Sequence, residues 1–233
     1  MAMNNGERLL HTLEQYFALK QHQPNAAFQQ RLAALQTWQI KRLFHTHQQR
    51  LATQEAHTAA HFLFYEVYGG ANLPQVASNI QRATRKAMAL LPSAVMHTAA
   101  VTLEAAVLTQ QLDEALVQAL PEGNIQPQTY AQAYRASSTP EQRQQQLALI
   151  EEAAQRIDRY IRRRWLMHSF RVMRRPAYAA KLNALYDLLH HGFQALSGLN
   201  SVSPLIASLV QVEKEISERL FLAHPNPFDG VTP

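Results

Sequence analysis

Prolines mark where helices begin in this chain. Pro74, Pro92, Pro127, Pro140 and Pro204 each open a stretch whose apolar residues recur every three or four positions. Proline lacks an N–H, so it is tolerated in the first turn of a helix and breaks the interior. Between these marks β-branched alternation is nowhere sustained, and glycine is scarce, at 7 of 233 residues. The chain therefore reads as helix throughout, with no sheet. Thr139-Pro140-Glu141-Gln142 is the clearest start signal: a capping Thr, a proline at the first helical position and a Gln where a capping box needs it. Ser203-Pro204 repeats the cap-then-proline pattern, and Asn25 can cap a helix carrying Phe28, Leu32, Leu35, Trp38 and Leu43 at helical spacing.

These signals predict helices near residues 7–21, 25–51, 54–68, 74–91, 93–120 and 127–134. A further helix runs from Pro140 to His168 or on to Pro176, and others follow over 176–196 and 203–222. The fifth is apolar or small on nearly every side, as expected of a central, buried helix. The expected architecture is all-α: one globular bundle of eight or nine helices over 7–223, with residues 1–6 and 224–233 as flexible ends.

With 47% hydrophobic residues the chain can bury a substantial core unaided. Cysteine is absent, which removes disulfides, thiolate metal sites and a Cys nucleophile. The N-terminal residues hold Glu7 and Arg8 and no apolar core of a secretory signal, so a cytoplasmic location is expected. The longest weakly polar run, 94–108, is interrupted by His97 and Glu104 and falls short of a transmembrane span. A net charge of +5 is mild, and no nucleic-acid-binding motif accompanies it, which argues against nucleic acid as a partner.

The densest aromatic run is Phe62-Leu63-Phe64-Tyr65-Glu66-Val67-Tyr68-Gly69. It resembles the defining motif of the bacterial FFLEELY-motif family at Phe62, Glu66, Tyr68 and Gly69, while Tyr65 stands where that pattern has an acid. The resemblance continues through Leu91-Pro92, His97, Leu112-Asp113, Ala133-Tyr134-Arg135 and the stretch from Asp158-Arg159 to Pro176. It implies a common fold over most of the chain after about residue 28, and it implies no activity.

Candidate chemistry is sparse. His57 and His61 form an i, i+4 pair on one helical stripe with Phe64, Tyr65 and Tyr68, a spacing that can clamp a metal. Neither the zincin nor the di-iron helix pattern occurs. No cofactor is predicted, and haem or a divalent metal stays open through His57 and His61. Glu66 projects about 140° from His61 on an ideal helix and needs another partner. His97 and Glu104 share one face of the fifth helix about 10 Å apart, too far to touch. Together with Arg162 and Tyr65 they form a candidate buried polar network or pocket, in which Arg162 is expected to pair with Glu66 or Glu104. No nucleophile elbow or phosphate loop is present, and positive evidence for an enzyme is absent.

The strongest signal is electrostatic. Drawn as one helix, residues 159–175 gather Arg159, Arg163, Arg164, Arg171, Arg174 and Arg175 on one arc, with Ile161, Trp165, Leu166, Phe170, Val172 and Met173 on most of the other. Such a basic amphipathic segment suits an acidic protein or an anionic surface, or else simply packs its apolar arc on the core. The expected function is non-enzymatic binding through this arginine face. The alternative is a ligand-, haem- or metal-binding bundle whose pocket carries His57, His61, Glu66, His97 and Glu104. A homodimer is the commonest closed assembly for such a chain.

Overall fold

The computed structural model describes residues 4–21, 25–70, 73–87, 93–161 and 165–229, with the side chains of residues 20, 73, 84–87, 165–169 and 171 set aside. Within them the chain forms ten α-helices and one π-helical segment, and no strand. The order is α1 (Asn5–Gln21), α2 (Ala26–Thr46), α3 (Gln54–His61), the π segment (Phe62–Tyr68), α4 (Leu73–Ala87) and α5 (Ser93–Ala119). Then come α6 (Pro127–Ser137), α7 (Pro140–Ile161), α8 (Trp165–Ala179), α9 (Asn183–Leu196) and α10 (Ser203–Phe221). The all-α class is as expected. The helix count, ten among the described residues, is close to the eight or nine expected.

Helix starts follow local chemistry in some places and tertiary contacts in others. Asn25 accepts from the Phe28 N–H at 2.8 Å, and Thr139 and Gln142 exchange bonds of 2.9 and 3.3 Å in the expected capping box. Ser203 does not cap α10 in the way its sequence suggests. Instead, Asp158 of α7 accepts from the Val202 and Ser203 N–H groups at 2.6 and 3.0 Å and from the Ser201 and Ser203 hydroxyls. Likewise Asn79 of α4 accepts from the Leu185 N–H at 3.2 Å, serving the first turn of α9. Helix N–H groups that lack a local cap thus find acceptors on a neighbouring helix.

The boundary expected at Pro176 needs correction. Pro176 lies inside α8, near its end, where its missing N–H removes a single ladder bond. The helix runs on to Ala179, and Lys181, whose φ of 58° is left-handed, turns the chain away. Lys181 N–H donates to Tyr178 O at 3.0 Å and Leu182 N–H to Ala177 O at 2.9 Å, the paired bonds of a Schellman turn.

α5 is the hub, packing against α1, α2, α6 and α7. Its buried residues, among them Val101, Leu103, Leu112, Leu116 and Val117, face several directions, as its apolar composition predicts. Among the described residues the buried side chains fall into three clusters. One joins α1, α4 and α5; one joins α2, α5, α6 and α10; the third gathers Ile40, Phe62, Phe64, Leu196 and Leu209 around the aromatic stretch. Residues 224–229, expected as part of a loose tail, pack back on the bundle. The Phe228 ring lies 6.1 Å from Trp38 and 5.9 Å from Tyr130, and Arg219 donates to Asp229 O at 2.6 Å.

Candidate functional site

The aromatic stretch leaves the α-helix at Phe62. Gly69 N–H donates to Phe64 O at 3.0 Å, five residues back, and Gly69 itself sits at φ −87°. A Cβ on Gly70 would fall 1.9 Å from Glu66 O, so the chain needs a glycine there to turn away. The wider π turn overturns the stripe expected at about 100° per residue. Phe62 and Phe64 go into the core, and Tyr68 turns inward. His57, His61 and Tyr65 stay outside, with the His61 and Tyr65 rings 4.7 Å apart and Phe44 stacked on Tyr65 at 5.8 Å. Among the described residues no group of three metal-ligating side chains forms around His57 and His61.

The expected single network of Arg162, Glu66, His97, Glu104 and Tyr65 is dispersed. Glu66 is exposed on the bundle surface and lies 3.3 Å from His191. Glu104 is paired with Arg8 of α1 by two hydrogen bonds. His97 is bonded to Asn5 at 2.9 Å and lies 3.7 Å from Glu152, in the same seam of α1, α5 and α7 as the Arg8–Glu104 pair. The physical reason is that Glu66 and Tyr65 leave the π turn towards α4 and α9, away from α5. Arg162 lies outside the described residues.

The buried polar groups are others, on residues whose side-chain periodicity carried no signal. Asp113 on α5 is 1% exposed and accepts from Tyr68 Oη at 2.7 Å and Gln39 Nε2 at 3.0 Å. Tyr130 donates to Gln39 Oε1 at 3.0 Å, and Trp38 stacks on the Tyr130 ring at 4.5 Å. Burial raises the Asp113 pKa above its ordinary value, against the pull of the Gln39 and Tyr68 hydrogen bonds. Nearby, Glu213 of α10 accepts from Arg42 and, at 2.9 Å, from the fully buried His47. Burial works to raise the Glu213 pKa, but Arg42 and His47 outweigh it and hold the carboxyl at about 2. Arg143, 4% exposed, lies over the Tyr134 ring at 4.1 Å and donates to Ser138 at 3.0 Å. Arg42 of α2 thus pairs with Glu213 of α10, while the charge of Arg143 on α7 acts on Asp113 of α5 from a distance, so that the buried charges are balanced. The sequence hint was an aspartate in the most apolar helix.

Of the arginine face, only part lies among the described residues. Arg159 is exposed near the end of α7, while Arg174 and Arg175 are exposed on α8. Arg163 and Arg164 lie outside the described residues, as does the side chain of Arg171. Phe170 packs inward on Phe193 and Tyr186, at 5.7 and 5.8 Å, but Val172 and Met173 are 75% and 52% exposed. Part of the arc expected to be core is on the surface. Beside it, Phe170, Met173, Ala177, Leu182, Tyr186 and Leu189 line an apolar dimple of about 260 Å³ between α8 and α9. Arg174 lies 5.7 Å from the Tyr178 ring, and Tyr178 Oη donates to Asp187 at 2.8 Å.

A second, larger groove of about 820 Å³ runs between α4, α9 and the π segment. Glu66 and His191 stand towards one end, and Arg82 and Lys181 towards the other. Among the described residues no helix is long and apolar enough to cross a membrane.

A family described as a domain of unknown function, DUF8198, matches residues 18–227. No curated protein and no solved structure matches the chain.

Proposed function

Because the chain belongs to the DUF8198 family, whose description carries no activity, we propose its role from its own surface: a non-enzymatic binding module that docks an acidic protein partner on α8. The closer kinship to the FFLEELY-motif family is part of this reading, supported by the resemblance at Phe62, Glu66, Tyr68 and Gly69. So are a cytoplasmic site of action and a single domain extending through 7–223.

The observation that carries the proposal is the exposure of Val172 and Met173, at 75% and 52%, on a helix that has no acidic residue from 165 to 179. Arg174 and Arg175 stand exposed beside them. Apolar area rimmed by charge is the anatomy of an interface. The rim selects an acidic partner by complementarity. The concave dimple selects a protein over a lipid surface, because a pocket of about 260 Å³ accepts an anchoring side chain whereas a bilayer is met by protruding ones. The partner is an amphipathic helix with acidic flanks and one large apolar anchor.

The test is a titration with a labelled synthetic helix bearing leucines on one face and glutamates on the other. Binding should weaken at least about tenfold for Met173→Glu and for the Arg174→Glu/Arg175→Glu pair, and should fall with added salt. Binding unchanged in both variants contradicts the proposal. So does binding to phosphatidylserine vesicles with none to the peptide, which reassigns the face to membranes.

A further inference from the structure

The groove between α4 and α9 has opposite charges at its two ends, and its polarity has a length. At one end Glu66 leaves the π segment and meets His191 at 3.3 Å, with 43% of its side chain still exposed. At the other, Arg82 of α4 donates to the Lys181 carbonyl, and Arg82 and Lys181 both line the same space. The two helices run antiparallel. Arg82, late in α4, bonds the turn before α9, whereas Pro74, at the start of α4, lines the groove with His191, far along α9. From Asn183 to His191 is about eight residues, or about 12 Å at 1.5 Å each.

Between the poles the lining is polar and suited to a backbone. Gln75, Ser78 and Asn79 come from α4, at positions that share one face. The Asn79 carbonyl is committed to the Leu185 N–H at 3.2 Å, so what it can offer the groove is its NH₂ donors. Asp187 is held by Tyr178 Oη at 2.8 Å. A volume of about 820 Å³ falls among small-ligand sites.

We propose that this groove binds a short peptide with free ends, its amino group at Glu66 and its carboxylate at Arg82 and Lys181. An extended chain advances about 3.3 to 3.6 Å per residue, so charges about 12 Å apart match the two ends of a peptide of about four residues. The ligand is chosen by its termini and its length rather than by its side chains. Arg82 has two tasks here: one guanidinium nitrogen fixes the turn into α9, and the remaining donors face a carboxylate. This site is separate from the docking face on α8, and neither needs the other.

Calorimetric titration with alanine peptides tests it. Free tetra-alanine should saturate one site, and acetylating its amino end or amidating its carboxyl end should each weaken binding at least about tenfold. In Glu66→Gln, acetylation should cease to matter while amidation still does; in Arg82→Gln the reverse should hold. Because Arg82 also secures the turn, Glu66→Gln, on an exposed side chain, keeps the test decisive if Arg82→Gln does not fold. Absence of saturable binding for any free-ended alanine peptide of about two to six residues overturns the proposal. So does binding that is indifferent to end-capping, or equal saturation by inorganic phosphate alone.

Discussion

At the residue scale, three buried or half-buried carboxylates have opposite dependences on pH. Glu213 is held at about 2, below its ordinary 4.5, by Arg42 and His47 against the effect of burial. Burial also acts on Asp158, but the Ser201 and Ser203 hydroxyls and the Val202 and Ser203 N–H groups lower it below its ordinary 3.8. For both, the stability they contribute is complete above the unfolded pKa and is lost as pH falls through the folded one. Asp113, raised by burial, has the contrary sign: its contribution is full below the unfolded pKa and is lost as pH rises through the folded value. Acid unfolding is therefore driven by Glu213 and Asp158 and not by Asp113. Urea unfolding between about pH 2 and pH 7 should show a shallower acid limb for Glu213→Gln and Asp158→Asn, and an undiminished one for Asp113→Asn. Glu213→Gln should also cost on the order of 3 kcal/mol at neutral pH, since it strands Arg42 beside His47 in the interior. A normal acid limb in Glu213→Gln would refute this assignment.

At the scale of elements, the π segment is held from the side by α9. A Cβ on Gly192 would lie 2.6 Å from the Phe62 ring, so the first aromatic of the motif seats directly on the α9 backbone. Gly192→Ala should cost about 1–3 kcal/mol by overpacking. In a Phe62→Leu background it should cost clearly less, because the two share one contact; thermal unfolding of the double-mutant cycle reads the coupling. Additive costs would mean that the contact is not what fixes the segment. Sequence periodicity gave most helices, since proline starts and caps such as Asn25 and Thr139 are local chemistry. It missed what is not local. A lysine, where a glycine would be the usual signal, occupies the left-handed turn after α8. Asp158 and Asn79 cap helices to which they do not belong. The π turn changed the angular step on which the placements of Tyr68 and Glu66 depended.

At the scale of the whole molecule, charge is sorted by depth. The interior balances Asp113 and Glu213 against Arg42 and Arg143 and ties helices around α5. Glu66, expected in a buried polar network, is instead part of a surface groove, because partners across a fold are not visible along a chain. The apolar and basic surface of α8 stays outside, with Val172 and Met173 exposed beside Arg174 and Arg175, and the central claim is that this surface is a docking face. Methyl-resolved NMR titration with the acidic amphipathic helix tests it most directly. The account predicts progressive shifts at Met173, Ala177, Leu182 and Leu189, which line the dimple, together with Val172. Shifts confined to other surfaces, or none at saturating peptide, would contradict it.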